Sequence, residues 1–283
     1  MRLFETRPGD DGLPGPERLL AVLALVTGTL MAVVDTTMIN LALPTIAADL
    51  GVSPSRAVWI TNLFQVVCAA FLLVFAGVSE LITRRRLYLL GLATFVMAAL
   101  GAALSRNLET LLVFRALQGL GAAATLSIGP SLYRAIFPSR LLGSALGLSA
   151  LVVAGGYAAG PTLSGVILSF ADWPWLFALN VPLGLCSLWL ARRALPKETP
   201  RQGGFDTLGA LYSMLMLASF FVAMDAVGHA APIWQSGGWA MLAVAACTLF
   251  IRRQQRAPYP LLPLSVFAEK RFTLAVSASG LAF

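Results

Sequence analysis

Met31–Asn40 reads MAVVDTTMIN. It lies inside an unbroken apolar run from Leu19 to Ile46 and sets a carboxylate, Asp35, at the seventeenth residue of that run. A run of this length is a membrane-crossing helix, because about 20 apolar residues at 1.5 Å each span the ~30 Å hydrocarbon core. A charge in the middle of such a helix is costly, and acids there pair with a partner or mark an ion path.

The composition agrees with the run. Of 283 residues 58% are hydrophobic and 12% charged, against about 25% charged in soluble domains. Further apolar runs cover Trp59–Glu80, Leu87–Leu104, Leu108–Phe137, Leu142–Leu168, Trp175–Leu195, Leu208–Val227 and Gly238–Ile251, and a ninth begins at Phe272. They are continuous and rich in Ala and Leu rather than alternating with period two, so helices are expected and a barrel is not. A cleaved leader over residues 1–34 is the competing reading of the first run. Asp35 directly after it and the seven further spans speak against that. Residues 1–17, polar with Gly and Pro, read as a disordered tail.

The net charge of +7 is a matter of topology. If the tail and every second loop are cytoplasmic, that side holds 17 of the 20 Lys and Arg residues, the opposite loops hold Arg56 and Arg106, and Arg115 falls inside a span. The positive-inside rule then places the N-terminus in the cytoplasm and the chain in the cytoplasmic membrane, and removes nucleic acid as a partner. Cys68, Cys186 and Cys247, all inside apolar runs, form no disulfide framework. With one histidine, no His/Glu metal cluster and no Gly-x-x-x-x-Gly-Lys loop, neither a metalloenzyme nor an ATP-driven pump is indicated, and no cofactor is expected. The ninth run, Phe272–Phe283, covers only ~18 Å, so a fragment of a longer protein is expected.

In the fourth span LLVFRALQGLGAAA puts Gln118, Gly119 and Ala122 three, four and seven residues beyond Arg115, on one helical face. Asp35 is 11 residues from the outer end of its span and Arg115 seven from its own. The ~6 Å difference in depth is within reach of a guanidinium stem. The two are therefore expected to pair, with Arg115 snorkelling to the interface as the alternative. In the fifth span GGYAAGPTLSG carries Gly156, Gly160, Pro161 and Gly165, the small residues that let helices approach closely, and a proline that removes one helical hydrogen bond.

Together these stretches resemble the major facilitator superfamily, and within it the fourteen-helix drug/proton antiporters. DTTMINLALP is similar to that family's first-helix motif (Asp35, Asn40, Pro44), RALQGLGAAA to its fourth-helix motif (Arg115, Gln118, Gly119), and GGYAAGP…SG to its antiporter motif. WPWLFALNVP, with Trp173, Trp175, Asn180 and Pro182, resembles the start of its sixth helix, and FDTLGALY and YPLLPLSVF the flanks of its two extra central helices. The resemblance implies an all-α membrane bundle. A disordered tail (1–17) would precede an N-terminal six-helix half (18–200) and two extra central helices (201–258). A cytoplasmic loop and the start of a truncated C-terminal half (259–283) would follow. It also implies proton-coupled export of lipophilic or cationic drugs, with Asp35 and Arg115 as coupling pair, Met31, Met38, Asn40 and Gln118 as candidates to touch substrate, and protons, drug and lipid as partners. A metabolite symporter or uniporter of the same fold, and a fragment that folds without moving solute, are the alternatives. One loop departs from the family. GVSELITRRR keeps Gly77, Arg85 and Arg86 of the cytoplasmic gate motif but has Leu81 at its acidic position, leaving Glu80, one residue early, as a possible substitute.

Overall fold

The computed structural model describes residues 2–199, 204–229, 231–262 and 264; the ninth apolar run, with Lys270 and Arg271, lies outside them. Among the described residues eight segments are long and apolar enough to cross a membrane: α1 Gly15–Asp49, α2 Pro54–Ile82, α3 Arg84–Ala103, α4 Leu108–Ile136, α5 Ser139–Leu168, α6 Pro174–Ala194, α7 Thr207–Gly228 and α8 Ile233–Arg256. Each meets the demand that hydrocarbon makes of a backbone, that its polar groups bond within the segment. Pro44 and Pro161 lie inside α1 and α5 without ending them. Three segments are interrupted: α2 has a turn at Val58, between Ala57 and Trp59. In α4 the helix stops at Leu126 and resumes at Gly129, ahead of Pro130, and in α6 it resumes at Asn180 after Leu179.

The chain divides into two compact units, Met1–Arg201 and Gln202–Phe283. In the first, the helices pack in the spatial order α2, α4, α3, α6, α1, α5. Glycines of the fourth- and fifth-span motifs set close approaches. A Cβ on Gly119 would meet the Phe64 carbonyl of α2, and Cβ atoms on Gly156 and Gly160 would run into Val33 and Thr37 of α1. Gly165, grouped with them by spacing, faces open space instead.

The first residues are not a loose tail. Asp10 makes two 2.7 Å bonds to Arg140, Asp11 accepts from the Ser139 hydroxyl (2.7 Å) and amide (3.0 Å), and Leu13 N–H donates to the Ile136 carbonyl. Arg18, fully buried, donates to the carbonyls of Leu3 and Leu13 and lies over the Phe137 ring. The disorder expected from composition is thus corrected. Asp10 and Asp11 meet partners about 130 positions away, which composition does not register.

In the second unit α7 and α8 pack as a hairpin. At one end buried Asp206 caps α7 through the Gly209 amide (3.1 Å) and accepts from Arg253 (2.9 Å) and Gln254 (3.1 Å) on α8.

Candidate functional site

On α1 the buried residues Met31, Ala32, Val34, Asp35, Met38 and Ile39 form one stripe. Two apolar clusters divide it. Met31 and Ala32 belong with Leu25, Phe64, Phe95 and Ala122, and Val34, Met38 and Ile39 belong with Ile60, Leu111 and Phe177. Asp35 lies between them, with no exposed surface.

Four helices converge on it. Arg115 of α4, also without exposed surface, donates from Nη1 to Asp35 Oδ2 at 2.7 Å. The same Nη1 donates to Gln118 Oε1 at 2.9 Å, and Nε donates to the Ile60 carbonyl of α2 at 2.9 Å. The guanidinium lies over the Phe64 ring at 4.3 Å and stands 5.8 Å from that of Phe177. Asn180 of α6 donates from Nδ2 to Asp35 Oδ1 at 2.7 Å, and Gln118 Nε2 approaches the same oxygen at 3.4 Å. The carboxylate is thus held by one cation and two neutral amides. Arg115 Nη2 is buried without a hydrogen-bond partner. In a dry interior this Coulombic attraction is strong and an unpaired charge is expensive, so the pair holds together as a unit.

Of the candidate residues, Asp35, Arg115 and Gln118 come together. Met31 and Met38 are buried within the bundle, one turn to either side of Asp35, while Asn40 is exposed away from that stripe. Phe64 packs against the guanidinium. Asn180 belongs to the motif at the start of the sixth span, and no spacing rule links it to a residue 145 positions away. A further feature without a sequence signal is a cavity of about 210 Å³ where α4 is interrupted, lined by Thr29, Tyr88, Thr125, Tyr133 and Ser149 among others.

At the gate-like loop, Arg84 rather than Arg85 or Arg86 makes the ion pair, with Glu198 beyond α6 at 3.4 Å, and it also donates to the Ser131 carbonyl. Arg85 donates to the Arg192 carbonyl at 2.6 Å, and Arg86 is exposed. Glu80 is exposed on the last turn of α2, and Gly77 is half-buried one turn before it.

The family model described as Major Facilitator Superfamily matches residues 25–283. The chain belongs to the major facilitator superfamily. It is similar to the uncharacterized transporter YebQ of Escherichia coli strain K12, 38% identical over 275 residues covering 96% of this chain and 60% of that protein. It is also similar to the methylenomycin A resistance protein of Bacillus subtilis strain 168, 33% identical over 91% of this chain and 55% of that protein. To the tetracenomycin C resistance and export protein of Streptomyces glaucescens it is 31% identical, over 90% and 47%. The chain therefore spans about half to three fifths of the length of these relatives. Among solved structures, the proton:xylose symporter XylE bound to 6-bromo-6-deoxy-D-glucose superposes with a TM-score of 0.54 at 13% identity, over 85% of this chain and 55% of that one, a likeness of fold. The eight apolar helices and the superfamily together make this a multi-pass membrane chain of the transporter kind.

Proposed function

We propose that the protein is a proton-coupled exporter of lipophilic or cationic compounds in the cytoplasmic membrane, with its N-terminus in the cytoplasm and Asp35 as its reversible proton site. The observation that carries this reading is the buried Asp35–Arg115 pair at a junction of four helices. A carboxylate held by one cation and two amides in a dry site can exchange a proton when a competing charge or a helix shift loosens the cation. The resistance and export names of two relatives support a drug-like substrate, and the 17-to-2 loop asymmetry supports the orientation. A second half completing a midplane site is part of the proposal, since transporters of this kind rock two repeats around such a site. Of the four substrate candidates Asn40 alone is exposed on the first unit. The 210 Å³ cavity by the α4 interruption is a second place for an apolar group, since an apolar cavity of about 150 Å³ takes up a benzene ring.

The test is Asp35→Asn in the complete transporter, reconstituted in vesicles with an imposed proton gradient. Asn keeps the shape and leaves the guanidinium the carbonyls of Ile60 and Gln118 and the Phe64 ring, so the protein should insert and fold while gradient-driven export is lost. Export equal to the parent's would show that the pair is packing only.

A further inference from the structure

We infer that Asn180 is the group that satisfies Asp35 in both of its protonation states, by turning its side-chain amide end for end. The inference rests on the proton-site reading of Asp35. With Asp35 ionised, Oδ2 is served by Arg115 and Oδ1 by Asn180 Nδ2 at 2.7 Å, with Gln118 Nε2 behind at 3.4 Å. A proton arriving on Oδ1 turns that acceptor into a donor, which then faces the N–H₂ of Asn180. An acceptor is required, because a buried polar hydrogen without one is costly. Arg115 has none to offer. Gln118 Oε1 is already taken by Arg115 Nη1 at 2.9 Å. Turning the Gln118 amide would take its carbonyl from the guanidinium, whereas half a turn of the Asn180 amide puts an acceptor at Oδ1 and gives up only the 3.4 Å contact of Nδ2 with the Leu176 carbonyl. Once the proton has arrived, Oδ2 of the neutral carboxyl can keep its hydrogen bond from Arg115.

Arg115 is the one charged side chain that faces Asp35 among the described residues. α2 brings the Ile60 carbonyl and the Phe64 ring, and α4 brings Gln118 beside Arg115. α6 brings Asn180 and Phe177, and the neighbours on α1 are Met31 and Met38. α3 and α5 carry no Asp, Glu, Lys, Arg or His between Leu87 and Leu104 or between Leu142 and Leu168, where their titratable groups are the phenols of Tyr88 and Tyr157. Any pH response of the site is therefore set by Asp35 with these neutral groups around it.

The test is an infrared titration of the full chain in lipid nanodiscs, following the protonated-carboxyl band that Asp35→Asn removes. Asn180→Leu takes away donor and acceptor together. The ionised form loses a charge-assisted bond and the neutral form only an ordinary one, so the midpoint should rise by about one pH unit. Asn180→Gln should restore most of that shift. In the parent, isotope-labelled asparagine should show an amide band that changes along Asp35's titration and is silent in Asp35→Asn, and this result decides the matter if Asn180→Leu does not fold. A midpoint unmoved in Asn180→Leu, or an asparagine band indifferent to pH, overturns the inference while leaving Asp35 as proton site. Absence of any titrating Asp35 band overturns both.

Discussion

Gly160 of α5 lies so close to Thr37 of α1 that a Cβ there would overlap the threonine side chain, whereas Gly165, five residues further on, has nothing within 4 Å. Gly160→Ala should thus force α1 and α5 apart, at about 1–3 kcal/mol for an overpacked contact. Gly160→Ala combined with Thr37→Ala should recover most of that. Gly165→Ala should be neutral or slightly stabilising, since Ala is the better helix former. Thermal unfolding in detergent of the three variants against the parent checks this, and equal losses at positions 160 and 165 would contradict it.

The Asp35–Arg115 pair predicts strong non-additivity. Asp35→Leu leaves a guanidinium that cannot lose its proton in a dry bundle, a loss of about 3–5 kcal/mol. Adding Arg115→Met removes the stranded charge, so the double variant should be more stable than Asp35→Leu alone. Two losses that simply add would mean that the charges are solvated separately.

The N-terminal segment should release with salt rather than with pH near neutrality. Its bond to Arg140 lowers the carboxyl of Asp10 from 3.8 to about 2, and the Ser139 hydroxyl and amide lower that of Asp11. A folded value below the unfolded one means that the pairing is fully present above about pH 4 and is lost as pH falls towards 2. Hydrogen exchange at Leu13 and Ser139, whose amides close on Ile136 and Asp11, should therefore be constant in protection factor across the neutral range. Protection should fall several-fold in Asp10→Asn or in high salt.

Much of this was legible because hydrocarbon simplifies the code. Eight continuous apolar runs give eight helices, and the three-residue step from Arg115 to Gln118 puts both on one face before any packing is known. Asn180 was not legible as a partner of Asp35, because only the order of α6 beside α1 in the bundle brings them together. Arg18 was counted as a topology signal, but it is wholly buried under its own N-terminal segment. The ordering of residues 2–14 arises from contacts with the loop at Ser139–Arg140, which local composition cannot report. At the gate-like loop Arg84 pairs with Glu198, 114 positions on, a contact that no local motif reports.

Asp206 should be the fastening of the α7–α8 hairpin. It caps α7 and takes both Arg253 and Gln254 from α8, at 4% exposure. Asp206→Asn keeps the cap and loses the charge, while Asp206→Ala also loses the cap, a further difference of about 1 kcal/mol. Protease sensitivity of the loop after Gln254, whose Oε1 accepts from the Leu262 amide, should rise in that order.

The turn between α2 and α3 holds Thr83 at φ 78°, ψ 143°, the one non-glycine residue with positive φ among those described, and it is buried. A β-branched residue in this region costs of the order of 1–3 kcal/mol. Part is returned by its side chain, which accepts from the Arg86 amide at 3.3 Å and caps α3. Glycine takes the same backbone without strain, and as a helix cap it falls short of threonine by only a few tenths of a kcal/mol. Thr83→Gly should therefore stabilise the first unit by about 1 kcal/mol, and Thr83→Val, which keeps the branch and drops the cap, should destabilise it. A thermal shift read on both variants separates strain from capping. If Thr83→Gly lowers stability as much as Thr83→Val does, the cap outweighs the strain. If it raises stability while slowing export by the complete transporter, the strained turn serves the movement of α2 against α3.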